Sequence, residues 1–121
     1  MVAEQGERAM LVAGGTDLFP NLKRRQFEPE ILVQVPRLPG IRRDDGHFSL
    51  GATVTLAEAA ADPALRAALP GFTQAAGLVS SPPLRNAGTV GGNLCVDTRC
   101  NYYNQTTEWR KSIEPRRRSF R

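Results

Sequence analysis

Two short segments of this chain combine residue types that could hold an anion: Ala13-Gly14-Gly15-Thr16-Asp17 and Thr89-Val90-Gly91-Gly92-Asn93. Each sets a Gly-Gly pair behind an apolar residue and beside a threonine and a short polar partner. Glycine has no Cβ and reaches positive φ without a clash, so successive backbone N–H groups can converge and approach a charged ligand closely. A helix that begins just past such a turn adds the positive end of its dipole. These are the requirements of a pyrophosphate cradle. Alone, either pair reads as an ordinary turn; two with matching flanks could grip a dinucleotide's diphosphate from two sides. Neither is a G-x-G-x-x-G fingerprint or a G-x4-G-K-[ST] loop, which argues against the Rossmann and P-loop folds.

The other reactive side chains are sparse. His47 is the single histidine and lies beside Asp45-Gly46, so it reads as an exposed hairpin residue rather than a general base. Asp17 reads as a helix cap. Cys95 and Cys100 are too few for a disulfide scaffold, and their C-x4-C spacing is not that of a zinc ribbon; Cys95 reads as a small buried thiol. Asp97 and Arg99 read as a local pair. Tyr102, Tyr103 and Trp109 read as packing against a partner subunit or as simple exposure.

With 121 residues, 40% hydrophobic and 23% charged, the chain has the size and composition of one globular domain. Its net charge of +4 is confined to the end: from Arg110 onward six basic residues face one acidic residue, while residues 1–109 carry ten basic and eleven acidic groups. A run such as Arg116-Arg117-Arg118 reads as a solvated tail, so nucleic acid is not the expected partner. No run approaches the roughly 20 apolar residues of a membrane helix, and no basic-then-apolar signal pattern opens the chain. The expected compartment is the cytoplasm.

These loops need elements to position them. Met10–Ala13 reads as a buried strand running into the first Gly-Gly turn, with Thr16 or Asp17 capping a helix from Leu18 to Arg24 and Pro20 in its first turn. Ile31–Val35 reads as a second strand, and Ile41–Leu50 as a hairpin about Asp45-Gly46. Thr55 and Glu58 form a capping box for a helix over Leu56–Ala61. Asp62-Pro63 starts another that runs through Leu69 and ends at Pro70-Gly71, and Phe72–Val79 is helical by its spacing. Ser81-Pro82-Pro83 through Asn86-Ala87-Gly88 reads as irregular backbone. The expected organisation is a poorly ordered start over 1–9, a binding domain over 10–94, an insertion over 95–113 and a basic tail over 114–121.

The segments Leu11-Val12-Ala13-Gly14-Gly15-Thr16-Asp17-Leu18 and Leu84-Arg85-Asn86-Ala87-Gly88-Thr89-Val90-Gly91-Gly92-Asn93-Leu94 resemble the two FAD-binding loops of the medium subunit of the molybdenum hydroxylase (xanthine dehydrogenase) family. Gly51-Ala52-Thr53-Val54-Thr55-Leu56 between them matches too. The segment Asn93–Gln105 leading into Trp109-Arg110-Lys111 resembles the insertion of the 4-hydroxybenzoyl-CoA reductase beta branch.

The resemblance implies an α+β fold, an incomplete PCMH-type FAD-binding domain of small mixed sheets with flanking helices. It implies that Leu11 to Leu18 wrap the FAD pyrophosphate, that Thr89, Val90, Gly91, Gly92 and Asn93 close over it, and that Val79 makes an apolar contact to the flavin nucleotide. Cys100 matches the first ligand of a four-iron, four-sulfur cluster, but no cysteine follows it and such clusters take four thiolates, so none is expected in this chain. By the same resemblance the chain is a fragment truncated at both ends, from an electron-transfer subunit that works with a molybdenum-cofactor subunit and a two-iron, two-sulfur subunit. A ferredoxin would be the donor, and reductive dehydroxylation of an aromatic acyl-CoA the reaction. The alternatives are the flavin subunit of a xanthine or carbon monoxide dehydrogenase-type hydroxylase, a remnant that binds no cofactor, and a nucleic-acid binder through the basic tail.

Overall fold

A computed structural model describes residues 2–96 and 107–113. Its first unit is strand, helix, strand. Strand β1 (Ala9–Val12) runs through the Gly14-Gly15 turn into α2 (Leu18–Lys23), which returns the chain to β2 (Ile31–Gln34). The strands pair in parallel, Ala9 opposite Ile31 and Val12 opposite Gln34, as a crossover helix between them requires. The expected strand therefore begins one residue early. It is preceded by α1 (Val2–Gln5) and a 3-10 turn (Gly6–Arg8), so the start has local helical structure where unpatterned chain is expected.

The hairpin forms as its turn chemistry dictates. Strands β3 (Ile41–Asp44) and β4 (His47–Leu50) pair antiparallel with Ile41 opposite Leu50. Asp45 at φ 42° and Gly46 at φ 81° supply the two left-handed residues that a twisted two-residue turn needs.

The helices that follow hold the core. In α3 (Leu56–Ala61), Thr55 Oγ1 accepts from the Glu58 amide at 3.1 Å and Glu58 Oε2 accepts from the Thr55 amide at 2.8 Å, closing the capping box. In α4 (Pro63–Ala68), Asp62 Oδ1 accepts from the Leu65 amide at 2.8 Å. Pro70-Gly71 does not end a helix but opens α5 (Pro70–Leu78): the break falls at Leu69 (φ −132°, ψ 61°), and proline fits the first helical position, where no N–H is needed. The same logic overturns the irregular stretch expected after Ser80, because Pro82 and Pro83 begin α6 (Pro82–Ala87). Two further helices are α7 (Val90–Cys95) and α8 (Thr107–Ile113).

Val54, Leu56, Ala59, Leu65 and Ala76 are buried where α3, α4 and α5 meet. Small residues bring α3 and α5 together: a Cβ on Gly77 would lie 3.7 Å from that of Ala60. Outside this centre many large apolar residues are exposed, among them Leu11, Leu32, Leu78 and Leu94. No helix among the described residues is long and apolar enough to cross a membrane. Mixed helices and two small sheets make the fold α+β.

Candidate functional site

The site begins where β1 ends. Gly15 takes φ +68°, the left-handed conformation that turns the chain into α2. Its carbonyl accepts from the Phe19 amide at 3.0 Å, and the Phe19 ring lies where a Cβ on Gly15 would be, 2.3 Å from that position. Asp17 occupies the N-cap of α2 without a side-chain cap bond; its carbonyl instead accepts from Asn21 Nδ2 at 2.5 Å. Within the described residues, the amides of Gly14, Gly15, Thr16 and Leu18 have no acceptor in the chain, and all four residues are half-exposed. A row of unbonded N–H groups on a glycine turn is an anion-binding concavity, and one left empty of acceptors carries a desolvation cost that a ligand relieves.

The second glycine segment is built differently. It is the first turn of α7 rather than a loop, with Thr89 as N-cap, and its amides are already bonded. Val90 N donates to Val54 O at 2.8 Å, Gly91 N to Ala52 O at 2.9 Å, Gly92 N to Thr89 Oγ1 at 3.0 Å and Asn93 N to Thr89 O at 2.8 Å. With Leu56 N donating to Gly88 O at 2.9 Å and an isolated antiparallel bridge between Thr55 and Thr89, residues 52–56 are tied by backbone bonds to residues 88–91. A symmetric pair of amide cradles is therefore not what the chain forms. The first segment offers free amides; the second offers side chains, with Thr89 buried and Asn93 exposed.

The two segments nonetheless meet. A Cβ on Gly14 would fall 1.9 Å from Ala87 O and 3.0 Å from the Gly88 Cα, and one on Gly88 would fall 3.5 Å from Thr16 Oγ1. Gly91 is seated in the same way on Ala52, whose Cβ lies 2.6 Å from the position its own would take. Close packing within the chain is thus a reason for glycine at 14 and 91 that the Gly-Gly pattern alone does not reveal, separate from any contact with a ligand.

Among the remaining expected contacts, Leu11 is exposed, while Val12, Ala13, Asp17, Leu18 and Val90 are half-exposed. Val79 is the half-exposed C-cap of α5, and its carbonyl accepts from Arg85 Nη1 at 2.9 Å. The structure adds Ala52, Ala87, Gly88 and Arg85 to the site. The run of small residues from Gly51 to Thr53 is the sequence signal for the first; Arg85, Ala87 and Gly88 fall within the second segment of the resemblance, but nothing local gives Arg85 its role. Cys95 is exposed, not buried, and free. Cys100 lies outside the described residues, and among the described residues no three His, Cys, Asp or Glu side chains could hold a metal ion.

Among the described residues, Glu58 stands out electrostatically, beside the Thr55 cap. The Thr55 amide, then the Arg37 guanidinium 2.7 Å from Oε1, hold its carboxyl below the usual range, against a small opposing effect of burial. It acts on the cap of α3, not on a reacting group.

Known proteins share this arrangement. The profile of the FAD binding domain in molybdopterin dehydrogenase matches residues 1–106. The medium chain of carbon monoxide dehydrogenase from Hydrogenophaga pseudoflava is 35% identical over 97 residues, covering 78% of this chain and 34% of that protein. Subunit alpha of the 6-hydroxypseudooxynicotine dehydrogenase complex of Paenarthrobacter nicotinovorans is also 35% identical over 97 residues, covering 78% and 33%. Among solved structures, carbon monoxide dehydrogenase from Hydrogenophaga pseudoflava superposes with a TM-score of 0.72 at 36% identity, over 76% of this chain and 33% of that one. Quinoline 2-oxidoreductase from Pseudomonas putida 86 does so with 0.69 at 31%, over 75% and 33%. The chain spans about a third of the length of the curated relatives it matches. The profile spans most of the sequence, and the relatives and superposed structures agree with it: the chain belongs to the family of FAD-binding domains of molybdopterin dehydrogenases.

Proposed function

We propose that this chain is the FAD-binding part of the flavin subunit of a molybdenum-dependent oxidoreductase of the carbon monoxide or xanthine dehydrogenase kind. The observation that carries the reading is the row of half-exposed amides at Gly14, Gly15, Thr16 and Leu18 with no acceptor among the described residues. A diphosphate supplies the oxygens and the charge those groups lack, and charge-assisted bonds to backbone N–H are the strong kind. The Thr16 hydroxyl lies beside Gly88 and the Asn93 side chain is exposed; in this reading both are further donors to the diphosphate, and Val79 is an apolar neighbour of the nucleotide. Thr89 holds the second segment in place through its cap bond to Gly92. Bound FAD supplies the electron-transfer chemistry, and no residue of the chain is assigned a proton transfer. The site's task is to bind and orient.

In the assembly proposed here, the flavin subunit joins a molybdenum-cofactor subunit and a two-iron, two-sulfur subunit and carries electrons between centres. The narrower reading, a 4-hydroxybenzoyl-CoA reductase beta subunit with a ferredoxin donor and a cluster ligand at Cys100, rests on residues 93–105 alone. The named dehydrogenase relatives support the hydroxylase reading. Titrating the purified chain with FAD, with flavin fluorescence and visible absorbance as readouts, tests the core of the proposal. Saturable binding that ADP competes away is expected; a chain that takes up neither FAD nor ADP overturns it.

A further inference from the structure

Arg85 lies outside the glycine segments, yet it joins the parts that build the seam. Its Nη1 donates to Val79 O at 2.9 Å and to Ser80 O at 3.0 Å. These carbonyls stand at the C-terminal end of α5, where the helix dipole is negative and a cation is favoured. Ser80 turns that corner at φ 49°, a left-handed conformation that a non-glycine side chain holds only when its surroundings fix it. The corner delivers the chain into α6, in which the Arg85 amide donates to Ser81 O at 2.9 Å and the Gly88 amide to Leu84 O at 2.7 Å. The last helical residue of α6, Ala87, presents the carbonyl against which Gly14 packs without a Cβ.

We propose that Arg85 is the positioning residue of the dinucleotide site: by clamping the Val79–Ser80 corner it sets where α6 ends, and so holds the Ala87–Gly88 floor on which the Gly14–Thr16 turn rests. This rests on the FAD-binding reading above for its ligand, but not for its structural content. Arg85 touches no ligand; it acts through Ala87 and Gly88. Both bonds leave one nitrogen, whose two N–H groups are fixed in the guanidinium plane; a lysine ammonium is a compact point charge on a flexible stem and lacks that fixed direction.

The test compares the full wild-type chain with Arg85→Ala and Arg85→Lys, measuring FAD affinity by fluorescence and hydrogen exchange at single amides by NMR. In Arg85→Ala, protection at the Gly88 and Leu56 amides falls while protection at Ala59 and Arg66 in the helical core is unchanged. FAD affinity drops on the order of tenfold, smaller than the worth of the two bonds because their loss reaches the turn only through Ala87 and Gly88. Millimolar methylguanidinium, far below denaturing concentration, restores part of both in Arg85→Ala and neither in wild type, a response that general destabilisation does not produce. Should Arg85→Ala lose core protection as well, Arg85→Lys decides: selective loss at Gly88 and Leu56 supports the clamp, and loss in step with the core overturns it. Wild-type exchange at Gly88 and Leu56 in the variants also overturns it. If the wild-type chain binds no FAD, the flavin reading fails while the exchange pattern still judges the clamp.

Discussion

Replacing Gly14 by alanine probes the seam most directly. The new methyl carbon would stand 1.9 Å from Ala87 O, 2.7 Å from Ala87 C and 3.0 Å from the Gly88 Cα. All three are backbone atoms, and no side chain can rotate away to make room. The Gly14–Thr16 turn or the end of α6 must retreat by about 1.5 Å to restore ordinary contact. Overpacking of this kind costs roughly 1–3 kcal/mol, and a rigid neighbour puts the cost toward the upper end. At roughly 4 °C or more of melting temperature per kcal/mol for a domain of this size, thermal unfolding followed by circular dichroism resolves the change. The displaced turn no longer aims its amides together, so FAD affinity falls at least about tenfold, as for the loss of one charge-assisted bond. An alanine variant that melts with the wild type and binds FAD equally would refute the close packing of Gly14 on Ala87 as the reason for glycine there.

Two further substitutions use other parts of the fold. Gly71, in the first turn of α5, has open space around the position of a Cβ and no positive φ, so Gly71→Ala raises stability by about 0.5–1 kcal/mol, measured by urea unfolding, and leaves FAD affinity unchanged. Glu58 has its carboxyl held below the usual value of 4.5 by the Thr55 amide and Arg37. Its contribution is therefore present above that value and is lost as pH falls through the lower folded-state value. The difference in unfolding free energy between wild type and Glu58→Gln is less than about 1 kcal/mol at pH 7, since the pair is solvent-screened, and shrinks as pH falls below 4.5; a difference that stays constant on acidification would contradict the assignment.

Local rules were the legible part of this fold. The Asp45-Gly46 hairpin, the Thr55–Glu58 capping box and the Asp62-Pro63 helix start each depend on residues within four positions of one another, and each forms as its chemistry requires. The same proline rule was misapplied at Pro70 and at Pro82-Pro83, where a residue able to open a helix reads equally as one that ends it. The site was half legible. Gly-Gly with threonine marks both segments, but whether an amide is free or bonded depends on what lies across from it. For Gly91 that is Ala52, and for Val90 it is Val54, partners that no local pattern names. Arg85 is invisible for the same reason, because its role comes from two carbonyls brought to it by the turn at Ser80.

The contact between Gly14 and Ala87 joins positions about seventy residues apart, with α2, β2, the hairpin, α3, α4, α5 and most of α6 between them. Closing so long a loop is entropically expensive until the intervening chain is ordered, whereas hairpins and capped helices gain their contacts locally and quickly. The order of events follows: hairpin and helices condense first, and the nucleotide's berth is assembled last. On the proposed reading, a nascent chain has no complete berth for a flavin until residue 88 has been synthesised and docked, which makes cofactor loading a check on the folding of this region rather than a nucleus for it.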